Sequence, residues 1–188
     1  MRTGTFVRVV VIALAMTLAA STASAQALNS GAQTIALNAT LAESLTLSLS
    51  ANAVNFTLSA GSAANPGSTG VTATTAWTLK PGRTAVGVYA YFASTTALTD
   101  GAGNNIPSSA FFISDNGGAS TALTNTAAFG AANAGLQLGA ATAITGANKT
   151  GSRTDAMTFN INLTGGTLPQ LPAATYTGTL NIQAQATP

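Results

Sequence analysis

The chain has 188 residues, only 5% of them charged, with six basic and four acidic side chains and neither histidine nor cysteine. Those two absences exclude imidazole acid–base catalysis, thiol nucleophiles, Cys/His zinc sites and disulfide bridges. A net charge of +2 gives little electrostatic footing for nucleic acid or an anionic membrane surface.

Arg2 and Arg8 flank the start of an apolar run, Val9–Met16, that continues to Leu18, and Ala23-Ser-Ala25 follows as a small-residue motif. This pattern predicts a secretory signal peptide over residues 1–25, cut after Ala25, with residues 26–188 as a single domain. The run is short for a membrane span, and no later stretch is long and apolar enough to supply one. No membrane span is therefore expected once the signal is removed. The destination is outside the cytoplasm: periplasm, cell surface or medium. Without the leader, Lys80, Arg83, Lys149 and Arg153 balance Glu43, Asp100, Asp115 and Asp155, so the mature chain is formally neutral. Such a surface resists self-association poorly. That suits a protein that packs against its own copies or against a wall, and equally one whose surface is covered with Thr, Ser, Asn and Ala.

From Gln33 to Ser50 the apolar residues keep odd parity: Ile35, Leu37, Ala39, Leu41, Leu45, Leu47 and Leu49. A period of two predicts strands, Gln33–Leu41 and Ser44–Ser50, parted by a bend or bulge at Glu43. The alternative is one long strand passing between sheets. Val54, Phe56 and Leu58 switch to even parity, which makes Ala51–Ala53 a turn or register change, and Gly61–Gly70 reads as a loop. Val71–Leu79 and Thr84–Phe92 read as a hairpin across Lys80-Pro-Gly-Arg83, and Trp77 as a buried anchor between sheets.

Thr95–Pro107 reads as a loop with Asp100–Asn105 at its tip. Phe111–Ser114 is a short strand, and Thr121–Asn125 another candidate. Residues 127–141 are Ala- and Gly-rich, with a short strand suggested at Leu136 and Leu138. Asn148–Arg153 reads as a polar turn. Met157, Phe159, Ile161 and Leu163 then alternate with polar residues, and this strand is expected to pair with the last one. In the last, Tyr176, Leu180, Ile182, Ala184 and Ala186 alternate with Thr, Asn and Gln. Short strands at this spacing predict one all-β antiparallel sandwich.

A carboxylate pair is the remaining route to hydrolysis. The four acids lie in turns or bends, Asp100 and Asp115 being the pair that two loops would most readily bring together. They read as solvated loop carboxylates. Asp100-Gly-Ala-Gly-Asn-Asn105 lacks the ordered ligand spacing of a calcium loop and reads as an Asp-Gly turn. No catalytic, metal or cofactor site is expected, and the chain is not expected to be an enzyme.

The tail Leu171-Pro-Ala-Ala-Thr-Tyr-Thr-Gly-Thr-Leu-Asn-Ile-Gln-Ala184 resembles the closing strand of chaperone–usher fimbrial subunits and of spore-coat-U-type secreted domains. The resemblance implies an immunoglobulin-like sandwich and a structural role as a pilus or matrix subunit at the cell surface. Its partners would be copies of itself or related subunits, together with a periplasmic chaperone. In such families a subunit takes a strand from its neighbour's N-terminal extension. Here the donor would carry Ile35, Leu37, Ala39 and Leu41, unless these residues form the first strand of their own sandwich. This chain departs from the family in lacking a cysteine pair and an aromatic residue near its end, Gln185-Ala-Thr-Pro188. The competing functional reading is a monomeric adhesin-like module that binds glycan or protein through its loops, with Tyr89 and Tyr91 as an aromatic strip.

Overall fold

Alternation of apolar and polar side chains builds nearly every element of the computed structural model, which describes residues 28–124, 126–129 and 135–188. The expected signal segment and its cleavage point lie outside the described residues. Leu41–Pro188 form one compact unit. Its strands in chain order are β1 (Ser44–Leu49), β2 (Asn65–Pro66), β3 (Val71–Thr78), β4 (Ala85–Tyr91), β5 (Thr96–Thr99), β6 (Asn105–Pro107), β7 (Phe111–Asp115), β8 (Thr121–Ala122), β9 (Leu136–Gln137), β10 (Thr142–Ala143), β11 (Thr150–Ile161) and β12 (Asn181–Thr187). Single 3-10 turns occupy Ser108–Ala110 and Leu168–Gln170.

The first sheet runs β1-β3-β11-β7-β8, with β2 continuing the line of β3 along β11. The second runs β10-β4-β12, with β9 also on β4, and β5 and β6 form a separate small ribbon. All pairings are antiparallel. Val71, Ala73, Thr75 and Trp77 of β3 face Val86, Val88 and Ala90 of β4, and all are buried. This is the all-β sandwich that the alternation predicted, its two layers joined by side chains of every second residue.

Several expectations are corrected. Val71–Leu79 and Thr84–Phe92 do not pair: Lys80–Arg83 is a corner that carries the chain from one sheet to the other, with Gly82 at φ 93° making the turn. Both strands must point their apolar residues at a common core, and facing sheets meet that need as well as a hairpin does. By the same logic β11 and β12 lie in different sheets rather than together. Asn148–Arg153 is not a polar turn throughout, because β11 begins at Thr150 and pairs with the far end of β3. The loops expected at 61–70 and 95–107 contain β2 and the β5–β6 ribbon.

The largest correction concerns the N-terminal portion. Residues 28–43 form no strand. Ile35, Leu37 and Leu41 are 85%, 90% and 84% exposed. Strand propensity and alternation supply half a strand's requirements; the other half is a partner edge.

The core falls into two parts. The larger part includes Phe92, Ile106, Phe111, Ile113, Phe159 and Ile161, with Phe111 edge-on to Phe56 and Phe92 at centroid distances of 5.8 and 5.2 Å. The smaller part is Trp77, Leu79, Val86 and Ile144, beside the Lys80–Arg83 corner. Trp77 is 4% exposed and donates its indole N–H to the Asn148 carbonyl at 3.0 Å, as expected of a packing anchor with a polar handle.

Candidate functional site

The most distinctive surface feature is an open apolar cleft of about 960 Å³ between the two sheets. One flank is the chain just after β1, where Val54, Phe56 and Leu58 point inward. The other is the approach to β12, where Tyr176, Leu180 and Ile182 do the same. Phe111, Met157 and Phe159 contribute to its floor. The parity switch at Ala51–Ala53 is what turns the first flank's apolar side chains toward the cleft. Each flank residue packs on the larger core yet stays only half-buried.

Backbone pairing shows the same incompleteness. Among the described residues, β1 pairs only with β3 and β12 only with β4, so each is the last strand of its sheet. Isolated antiparallel bridges tie one flank to Gly67 through Phe56 and the other to Thr99 through Thr177. An edge strand's free N–H and C=O groups form a ready template for another chain. The sequence-predicted donor residues, Ile35, Leu37, Ala39 and Leu41, all lie outside any strand.

The second site is a buried polar layer that the sequence reading missed. Asp155 is fully buried, on the inward face of β11. Arg153, two residues earlier on the same face, donates from both Nε, at 3.0 Å, and Nη2 to its two carboxylate oxygens. The same guanidinium donates to the carbonyls of Leu138 and Ala140, both at 2.8 Å. It thereby ties the first sheet to the strap between β9 and β10. Gly139 leaves room for it: a β-carbon there would stand 3.0 Å from Asp115 Oδ2 and 3.3 Å from Arg153 Nη2.

Asp115, at the end of β7, completes the layer. Its Oδ1 is buried without a hydrogen-bond partner among the described residues, as is Thr75 Oγ1. Burial and the nearby Asp155 charge push the Asp115 carboxyl above its usual range, while Arg153 and an Asn116 hydrogen bond pull the other way. Of the four acids, read as solvated loop carboxylates, Asp100 and Asp115 were the pair two loops would most readily bring together; Asp155 is in fact fully buried in a strand. The structure instead places Asp115 near Asp155, because Met157, directly opposite Asp115 in the ladder, is two residues along from Asp155 on the same face. The signal in the sequence was the odd parity that Arg153 and Asp155 share with Met157, Phe159 and Ile161.

Asp100 is the turn residue expected. Its Oδ1 accepts from the backbone N–H of Ala102 and Asn104 at 2.8 and 3.0 Å. The Asn104 side-chain amide, with those backbone donors, holds the carboxyl below its usual range. Glu43 is paired with Arg83 in a two-pronged contact, 2.8 and 3.3 Å, and lies 3.7 Å from Lys80. The hydrogen bond from Arg83 keeps its carboxyl low. Tyr89 and Tyr91 are half-buried on the outer face of the second sheet. Phe129 meets the Tyr89 ring edge-on at 5.3 Å, and Tyr91 donates a long hydrogen bond of 3.4 Å to Gln183.

Among the described residues no helix is long and apolar enough to cross a membrane, and no cluster of three or more acidic side chains is placed to hold a metal. No family model matches the chain, and no curated protein matches it.

Proposed function

We propose that the protein is an exported structural subunit of the cell surface, fimbrial or matrix-forming, that assembles through β-strand contacts. The observation that carries this reading is the coexistence of an open apolar cleft, bordered by one-sided edge strands, with an exposed alternating segment in the same chain. Burying a Leu or Ile side chain is worth about 1.5–3 kcal/mol. Ile35, Leu37 and Leu41 leave that stabilisation unclaimed, and the half-buried cleft flanks leave part of theirs.

In this reading the segment around Ile35, Leu37, Ala39 and Leu41 of one copy enters the cleft of the next. Its backbone extends the sheet edge while its odd-numbered side chains fill the apolar space, the mode of strand addition. A nearly uncharged exterior sets no repulsion against such stacking. The glycan-binding alternative draws less support, since Phe129 already packs on Tyr89.

The test is to produce residues 26–188 and residues 42–188 and compare them by electrophoresis before and after heating. Heat-resistant ladders from the longer chain that vanish in the shorter one are expected. Monomers from both, at concentrations that span the micromolar range, would refute the reading. Because the chain has no cysteine, a disulfide between Leu37→Cys in one copy and Phe56→Cys in another reports the contact directly.

A further inference from the structure

The exposed segment and β1 are separated by two residues, Ala42 and Glu43. Register decides which returns onto the edge of β1 such a segment can make. A two-residue turn at Ala42-Glu43 would set Leu41 opposite Ser44, Ala39 opposite Thr46, Leu37 opposite Ser48 and Ile35 opposite Ser50. Directly opposed residues in an antiparallel pair share a face. Leu45 and Leu47 pack on the core, so Ser44, Thr46 and Ser48 point outward. That return would put every apolar side chain of the segment on the solvent face. It would also need positive φ at Ala42, and in a type I′ turn at Glu43 as well, for which neither is suited.

A three-residue turn over Ala42-Glu43-Ser44 removes the obstacle. It sets Leu41 opposite Leu45, Ala39 opposite Leu47 and Leu37 opposite Leu49, all on the inward face. Two contacts stand against it. Ser44 is already the first rung of β1, paired with Thr78. Glu43 is gripped by Arg83 and lies near Lys80 at the corner between β3 and β4. Arg83 is itself fastened, donating to the Ala186 carbonyl at 3.2 Å, and its own carbonyl accepts from Lys149 Nζ at 2.7 Å. The corner is also the end of β1 away from the cleft: Ser44 lies beside Thr78, whereas the cleft lining begins at Leu49.

We propose that the Glu43–Arg83 ion pair is a register lock: it holds the start of β1 so that the segment before it cannot turn back onto its own edge and stays free for a second copy of the chain. This rests on the assembly reading above and adds to it a residue pair that sets the choice between self-pairing and exchange. Glu43 and Arg83 are positioning residues, since neither lines the cleft.

The test is the chain of residues 26–188 carrying Leu37→Cys and Leu49→Cys, which the three-residue return brings face to face. After oxidation in dilute solution, the intramolecular disulfide is read as a faster-migrating monomer. Adding Glu43→Gln is expected to raise its yield about fivefold, the scale of a well-formed exposed ion pair, and to thin the ladders formed by the cysteine-free chain in proportion. Arg83→Gln removes the same pair from its other member and is expected to raise the yield similarly, with no further rise when both are changed, whereas a loss of general stability would add. An intramolecular yield that Glu43→Gln leaves unchanged, or that rises further when Arg83→Gln is added, overturns the lock. Ladders that persist alongside such an unchanged yield defeat the lock alone. Absence of ladders from the unaltered chain defeats the assembly reading, whatever the disulfide yield.

Discussion

The two ends of the sandwich use the same kind of side chain to different effect. At the corner end, Trp77, Leu79, Val86 and Ile144 are all buried, and the strand termini are cross-tied: Thr84 donates to the Thr187 and Pro188 carbonyls, and Leu79 to that of Lys149. At the cleft end, Val54, Phe56, Leu58, Tyr176, Leu180 and Ile182 present an equally apolar lining that stays half-buried. Hydrophobicity is therefore not what separates a closed core from an open one. The difference is whether a strand lies over the gap, which depends on edges rather than on composition.

Truncations that break this comparison should differ in size. Phe111→Ala removes a ring shared by both sides of the larger core and is expected to cost about 3–5 kcal/mol in urea unfolding. Phe56→Ala, on the half-buried flank, should cost no more than about 2 kcal/mol. Equal losses would mean that the flank is as well covered as the core. Between the two ends lies the buried ion pair. Asp155→Ala strands the Arg153 guanidinium and is expected to cost about 3–5 kcal/mol. Asp155→Ala combined with Arg153→Met should recover much of that loss, and a double variant as unstable as the single would show that the carboxylate acts through something other than Arg153.

A smaller effect sharpens the polar layer by pH. Because the Asp115 carboxyl is raised in the folded chain, its contribution is fully present below the unfolded value of about 3.9 and is lost as pH rises through the folded value. Asp115→Asn should thus melt higher than the parent at neutral pH, and the gap should close in acid. A gap that is constant with pH would contradict the assignment. Glu43 and Asp100 run in the opposite sense: both are lowered, so what they contribute is lost as pH falls through their folded values. The smallest effect is expected from Leu37→Ala, within about 0.5 kcal/mol in the stability of the unassembled chain, with thinner ladders as its visible consequence. A clear loss of stability would mean that Leu37 is already packed in the monomer.

Much of the fold was legible in particular residues. Odd parity in Val71–Trp77 and Met157–Ile161, and even parity in Val86–Phe92 and Ile182–Ala186, located four main strands and their inward faces. The parity switch after Leu49 marked the start of the cleft flank. Partnership was not legible: β3 with β4 and β11 with β12 look like hairpins in sequence, yet each pair straddles the two sheets. The polar layer was half-legible, since Arg153 and Asp155 share the parity of a buried face but carry charges normally assigned to solvent.

What the sequence by itself determined is therefore the element type and the facing of each side chain, because both follow from the two-residue period of an extended backbone and from local turn chemistry. The tertiary structure decided which edges meet, which edges stay open and which charges are enclosed. Those outcomes rest on contacts between residues far apart in the chain, such as Asn65 with Ile161 or Glu43 with Arg83, and no local pattern encodes them.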